Sequence, residues 1–136
     1  MASEGTTVTI RVLLADDFEP WRLVERSILA TMPSFRIVGE ASNGLEASEL
    51  CSKLKPDIVL LDIGMPFLNG IEAAKQIRNH SPLSRVVFVT QDDDADVRDA
   101  ALTTGAQGYL LKTNAVRELL PAVKAAFGHD PTVKNW

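Results

Sequence analysis

The chain has 136 residues and a net charge of −4, with no run of Lys and Arg. That length suits one hydrophobic core, since single domains usually run to about 100–150 residues. The charge argues against contact with nucleic acid by this chain itself, because gripping a phosphate backbone needs clustered cations. At 46% hydrophobic and 24% charged residues the composition is ordinary for a globular domain. No stretch nears the ~20 apolar residues of a membrane span.

Residues 1–9 are polar, with Glu4 where a signal peptide carries positive charge, so they read as a frayed tail and the chain as cytoplasmic. Residues 10–15 (IRVLLA) are the first of five short runs rich in Val, Ile and Leu, which suit strands buried on both faces of a parallel sheet. Pro20 follows the acidic Asp16, Asp17 and Glu19 and can occupy the first turn of a helix reaching about residue 31. The second strand covers 35–41. Asn43 can cap a second helix through Leu54, with Leu45, Leu50 and Leu54 as its apolar stripe and Pro56 beyond its end. Cys51, the sole cysteine, sits in this helix as a small half-buried apolar residue, since neither His80 nor His129 is placed to serve as its base.

The third strand, 58–61, leads to a helix over about 68–79 that stops before Pro82. Residues 86–90 form the fourth strand, and a helix over about 95–104 ends at Gly105. Residues 109–111 close the set. Thr113 or Asn114 can cap a last helix that ends near Gly128. Residues 129–136 carry Pro131 and no helical pattern, and read as a tail or the start of a linker. The domain is therefore expected over residues 10–128. Five βα repeats in succession argue for a doubly wound α/β parallel sheet covered by helices on both sides.

In such a sheet, ligands bind outside the carboxyl ends of the strands. The first strand ends in Asp16-Asp17, the third in Asp62, the fourth in Thr90 and the fifth in Lys112. If strands one and three are neighbours, three carboxylates share one small pocket. Carboxylates that close repel and raise one another's pKa unless a cation sits among them. Oxygens without His or Cys suit Mg²⁺ or Mn²⁺ and do not suit zinc. A carboxylate beside such an ion can attack a phosphoryl group to form an acyl phosphate, with Thr90 donating to one phosphoryl oxygen and Lys112 holding another. Taken singly, each residue has a plainer explanation. An acidic pair before a helix complements its dipole, and an aspartate after a strand is commonly a turn residue. Their joint placement on successive strand ends is what points to a site.

The pieces LLADD (13–17), IVLLDIGMPFLNG (58–70), VVFVT (86–90) and GYLLK (108–112) resemble the receiver domain of two-component response regulators, across about residues 10–127. The GYLLK ending is similar to receivers that precede a helix-turn-helix output domain. The resemblance implies the flavodoxin-like (βα)5 fold with strand order 2-1-3-4-5. It implies that Asp62 accepts a phosphoryl group from a sensor histidine kinase. It further implies that Asp17 binds Mg²⁺ directly, Asp16 mostly through water, and that Asp62 and the Gly64 backbone carbonyl complete the protein ligands. Thr90 and Lys112 grip the phosphoryl group, and Tyr109 is the switch aromatic. Phosphorylation would reorder the face made by the fourth helix, fifth strand and fifth helix, which in this family commonly dimerises or docks an effector. The domain is an enzyme only in promoting its own phosphorylation and dephosphorylation.

Three departures from the family pattern stand out. Gln91 follows the switch threonine, where small residues are usual, and can crowd donors or orient water. Gly64 offers no side chain to guard the site. Thr113 follows Lys112 where many relatives have proline, so the isomer of that peptide is open. The Asp92-Asp93-Asp94 run adds negative charge, most simply as a solvated helix start. A phosphatase of the haloacid dehalogenase type would need an aspartate at Gly64. A nucleotide-binding flavodoxin-like protein would need a Gly-rich loop after the first strand. The output is left open between transcription through a domain absent here and protein contact by the receiver alone, with a constitutive unphosphorylated binding module as the alternative.

Overall fold

The structure is a computed structural model that describes residues 9–128. The tail readings for 1–8 and 129–136 lie outside the described residues. The elements run β1 (Ile10–Ala15), α1 (Glu19–Leu29), β2 (Phe35–Ala41), α2 (Gly44–Leu54), β3 (Ile58–Leu61), α3 (Gly70–His80), β4 (Arg85–Thr90), α4 (Ala95–Thr103), β5 (Gly108–Leu111) and α5 (Ala115–Phe127), with a 3-10 turn at Lys112–Asn114 before α5. All strands pair in parallel in the order β2-β1-β3-β4-β5, the five-stranded (βα)5 arrangement expected from the alternation and the resemblance.

Alternation along the central strands splits the core into two layers, because successive side chains in a strand face opposite sides. Leu13, Ala15, Val59, Leu61 and Phe88 meet Ala47 and Cys51 of α2 and Ala73, Ala74 and Ile77 of α3. Val12, Leu14, Ile58, Leu60 and Val87 face the other way, onto Leu29 of α1 and Leu119 and Val123 of α5. Each buried side chain of this size contributes about 1.5–3 kcal/mol. Burial on both faces holds for β3 throughout but fails for β2, of which only Ala41 is buried. As an edge strand, β2 has one neighbour and stays half open to water.

The helix ends shift in ways that local chemistry explains. α1 stops at Leu29, short of residue 31, and Thr31 instead donates its N–H to the Ile28 carbonyl in a turn. The Asn43 side chain caps α2 by accepting from the Glu46 N–H at 2.8 Å, and Glu46 Oε1 accepts in return from the Ser42 N–H. The expected leucine stripe holds in part, with Leu50 and Leu54 packed half-buried against the core. Gly44, Ala47, Ser48 and Cys51 face inward, while Leu45 is half exposed. Small residues let the helix start close to the β3–α3 loop, where a Cβ on Gly44 would lie 1.8 Å from the Leu68 carbonyl oxygen. α3 begins at Gly70 behind an Asn69 cap, two residues later than expected. Asp94 caps α4, which makes the acidic run the helix start it resembled. Neither Thr113 nor Asn114 caps α5 through its side chain, because the 3-10 turn enters the helix instead.

Candidate phosphoacceptor site

The site lies at the carboxyl ends of β1, β3, β4 and β5. Ala15 pairs with Leu61, so Asp16 and Asp62 leave adjacent strands side by side. The Asp62 N–H donates to the Ala15 carbonyl at 2.9 Å, which carries the ladder one step beyond the strands. One carboxylate oxygen from each of Asp16, Asp17 and Asp62 lies within 4.8 Å of the others. Asp16 and Asp62 are buried, and Asp17 is exposed at the rim.

Lys112 enters this cluster from the end of β5. Its Nζ is 2.6 Å from Asp16 Oδ2 and 3.5 Å from Asp62 Oδ2. Burial pushes the Asp16 carboxyl above its ordinary pKa; the Lys112 ammonium and the Phe18 N–H draw it down, and the Asp62 charge raises it again. Burial alone would lower the Lys112 pKa, but Asp16 and Asp62 outweigh it, and the net shift is upward. The remaining carboxylate oxygens are partly satisfied by backbone: Asp16 Oδ1 accepts from the Phe18 N–H and Asp62 Oδ1 from the Ile63 N–H, both at 2.8 Å.

Thr90 is buried at the end of β4, and its hydroxyl oxygen accepts from the Asp92 N–H at 3.2 Å. The Tyr109 hydroxyl donates to the Asp92 carbonyl at 2.5 Å, with its ring half-buried and tilted against Phe88. Thr90, Asp92 and Tyr109 therefore form one chain of contacts from the pocket toward α4. A cleft of about 420 Å³ opens over the cluster, lined by Asp17, Phe18, Asp62, Ile63, Gly64, Thr90, Gln91, Asp92 and Lys112. All the residues expected at the site border this cleft or the acidic cluster, except Tyr109, which reaches it through Asp92. A Cβ at Gly64 would meet nothing within 4 Å, so the entrance is open there. Gly70 has the opposite role: a Cβ would lie 1.9 Å from the Asp62 carbonyl oxygen, so its lack of a side chain lets α3 start directly behind the acidic residue. The Lys112–Thr113 peptide is trans.

Two residues of α1 belong to the site and carry no motif. The Trp21 ring lies under Lys112, with Nζ 5.3 Å from its centroid. One turn on, Glu25 is 2% exposed, and burial pushes its carboxyl up to about 8. The signal available in the sequence was the spacing Trp21, Glu25, Leu29, which puts a carboxylate on the apolar face of the helix.

Residues 12–124 match the response regulator receiver domain family. The chain belongs to that family. The transcriptional regulatory protein LiaR of Bacillus subtilis (strain 168) is 36% identical over 93% of this chain and 60% of its own length. Other curated relatives are matched over as little as 40% of theirs. The response regulator domain of Thermotoga maritima CheB superposes with a TM-score of 0.83 at 36% identity, over 90% of this chain and 99% of that one. CheY in the CheX–CheY–BeF₃–Mg²⁺ complex of Borrelia burgdorferi does so with a TM-score of 0.84 at 25% identity, over 91% and 93%. As a receiver, the chain carries an acidic cluster suited to gain and loss of a phosphoryl group on aspartate. Three carboxylates with no His or Cys form a donor set able to hold a divalent cation. Among the described residues no helix is long and apolar enough to cross a membrane.

Proposed function

We propose that Asp62 is the phosphoryl acceptor of this receiver and that a sensor histidine kinase is its donor. The observation that carries the reading is the convergence of Asp16, Asp17 and Lys112 on Asp62, with Thr90 on the same cleft. An Asp62 oxygen attacks phosphorus, the bond from phosphorus to the donor histidine nitrogen breaks, and that nitrogen keeps the electron pair. Asp17, Asp62 and the Gly64 carbonyl would hold Mg²⁺, or alternatively Mn²⁺, with Asp16 acting through water. The ion supplies charge neutralisation on the transferring oxygens. Lys112 moves from Asp16 to a phosphoryl oxygen, and the Thr90 hydroxyl donates to another. Gly64, Gln91 and Asp92 on the cleft wall set the access of donor and of hydrolytic water.

The same contacts supply a switch. Turning the Thr90 hydroxyl toward the phosphoryl group breaks its bond to the Asp92 N–H, and Tyr109 is tied to the same residue. The added charge thereby biases the α4–β5–α5 face, where a homodimer or an effector would form. The likeness to a transcriptional regulator supports transcription, through a domain beyond the matched region, as the output.

Beryllofluoride, a phosphoryl mimic, tests this by amide NMR. With Mg²⁺ it should shift the signals of Thr90, Tyr109 and Lys112, and Asp62→Asn should abolish the shifts. Unchanged spectra in the unsubstituted protein at saturating Mg²⁺ would overturn the assignment.

A further inference from the structure

We infer that Trp21 is a positioning residue for Lys112, its ring face confining the ammonium to the arc between Asp16 and Asp62. The inference rests on the proposed role of Lys112 in gripping the phosphoryl group. Nζ stands 5.3 Å from the ring centroid, inside the ~6 Å range over which an aromatic face attracts a cation. The Lys112 side chain is only 9% exposed, so little water competes for that attraction.

On its other side the lysine borders a second cleft of about 420 Å³, lined by Phe18, Trp21, Gln91, Leu111, Lys112 and Thr113. The two clefts share Phe18, Gln91 and Lys112, so a long flexible side chain between them has somewhere else to go. The indole forms part of that second wall. Removing it enlarges the space away from Asp62, while keeping it leaves the ammonium between two carboxylates. The indole is itself held from below. It packs against the α1–α5 layer, and its Nε1 is buried beside Glu25, whose carboxyl it draws down in pKa. Neither Trp21 Nε1 nor Glu25 Oε1 completes a well-formed hydrogen bond. Beyond that packing, the indole ring makes its contact with Lys112.

The test compares Trp21→Phe, which keeps a ring face, with Trp21→Leu, which keeps only apolar bulk. With acetyl phosphate and Mg²⁺, Trp21→Leu should lower the donor-saturated phosphorylation rate about tenfold, the size expected of a largely desolvated cation–ring contact. Half-saturation by donor should stay within about twofold, and Trp21→Phe should recover most of the rate. Leu and Phe variants with equal saturated rates would overturn the inference, leaving Trp21 as core filling. If the unsubstituted protein takes up no phosphoryl group, the assignment of Asp62 fails first and this inference with it. Should Trp21→Leu not fold, Trp136→Phe leaves Trp21 as the sole indole, since the chain has two tryptophans. Its emission should then change on adding beryllofluoride beyond the effect of Mg²⁺ alone, and constant emission would overturn the inference.

Discussion

Lys112 Nζ sits 2.6 Å from Asp16 Oδ2, nearer than its 3.5 Å to Asp62 Oδ2. In the free protein the lysine is thus a resident cation for the acidic cluster, and a metal ion must compete with it for Asp16. Lys112→Met removes the competitor and leaves three carboxylates with no counter-charge. Mg²⁺ affinity should rise several-fold, on the order of 1 kcal/mol, even as phosphorylation slows. Calorimetric titration of Mg²⁺ checks this, and an unchanged or weaker affinity would show that Lys112 does not hold Asp16 in solution.

Glu25 makes stability depend on pH in a defined direction. Its carboxyl is pushed up to about 8 from an ordinary 4.5, chiefly by burial. The folded state therefore binds more protons than the unfolded state between those values. Stability from this group is fully present below the lower value and is lost as pH rises toward the upper one. At about 1.4 kcal/mol per unit, the loss near neutrality is on the order of a few kcal/mol. Glu25→Gln should flatten the fall in urea midpoint between pH 5 and 8 and raise the midpoint at pH 8. Parallel curves for the two proteins would mean the carboxyl ionises freely.

Cys51 is fully buried in the α2–β3 layer, and its thiol is pushed up to about 12 by burial. The thiolate is the reactive form, so the native protein at pH 8 should react with an aromatic disulfide reagent only at the rate of its opening. Adding urea past the midpoint should release one thiol at once. Rapid stoichiometric reaction without urea would contradict the packing of α2.

Two glycines that follow β3 should behave in opposite ways. Gly70→Ala places a methyl 1.9 Å from the Asp62 carbonyl oxygen and 2.7 Å from Ile63 Cα, both backbone atoms that cannot simply turn aside. A loss of about 2–4 kcal/mol is expected, with slower phosphorylation because Asp62 itself is displaced. Gly64→Ala meets open space and should stay within about 0.5 kcal/mol of the parent in stability. Denaturation curves of the pair decide the point.

The central strands and the acidic cluster could be read from the sequence because one simple pattern carries each. Runs such as Ile58–Leu61 are apolar on both faces because helices cover both, and the residues after strands sharing one direction must emerge on one edge. What could not be read depends on approach distance or on pairs remote along the chain. The inward face of α2 includes Gly44, whose lack of a side chain matters only once the Leu68 carbonyl of the β3–α3 loop lies against the helix. The 3-10 turn at Lys112–Asn114 replaces the expected cap of α5. The contact of Trp21 with Lys112 joins α1 to the end of β5 and leaves no periodicity in either segment.

The most direct test of the central claim is the intact mass of the protein after incubation with a small phosphodonor, with and without Mg²⁺, beside Asp62→Asn. A gain of one phosphoryl group that requires Mg²⁺ and is absent from the substituted protein is expected. An equal gain in Asp62→Asn, or no gain together with no binding of beryllofluoride at saturating Mg²⁺, would contradict the claim.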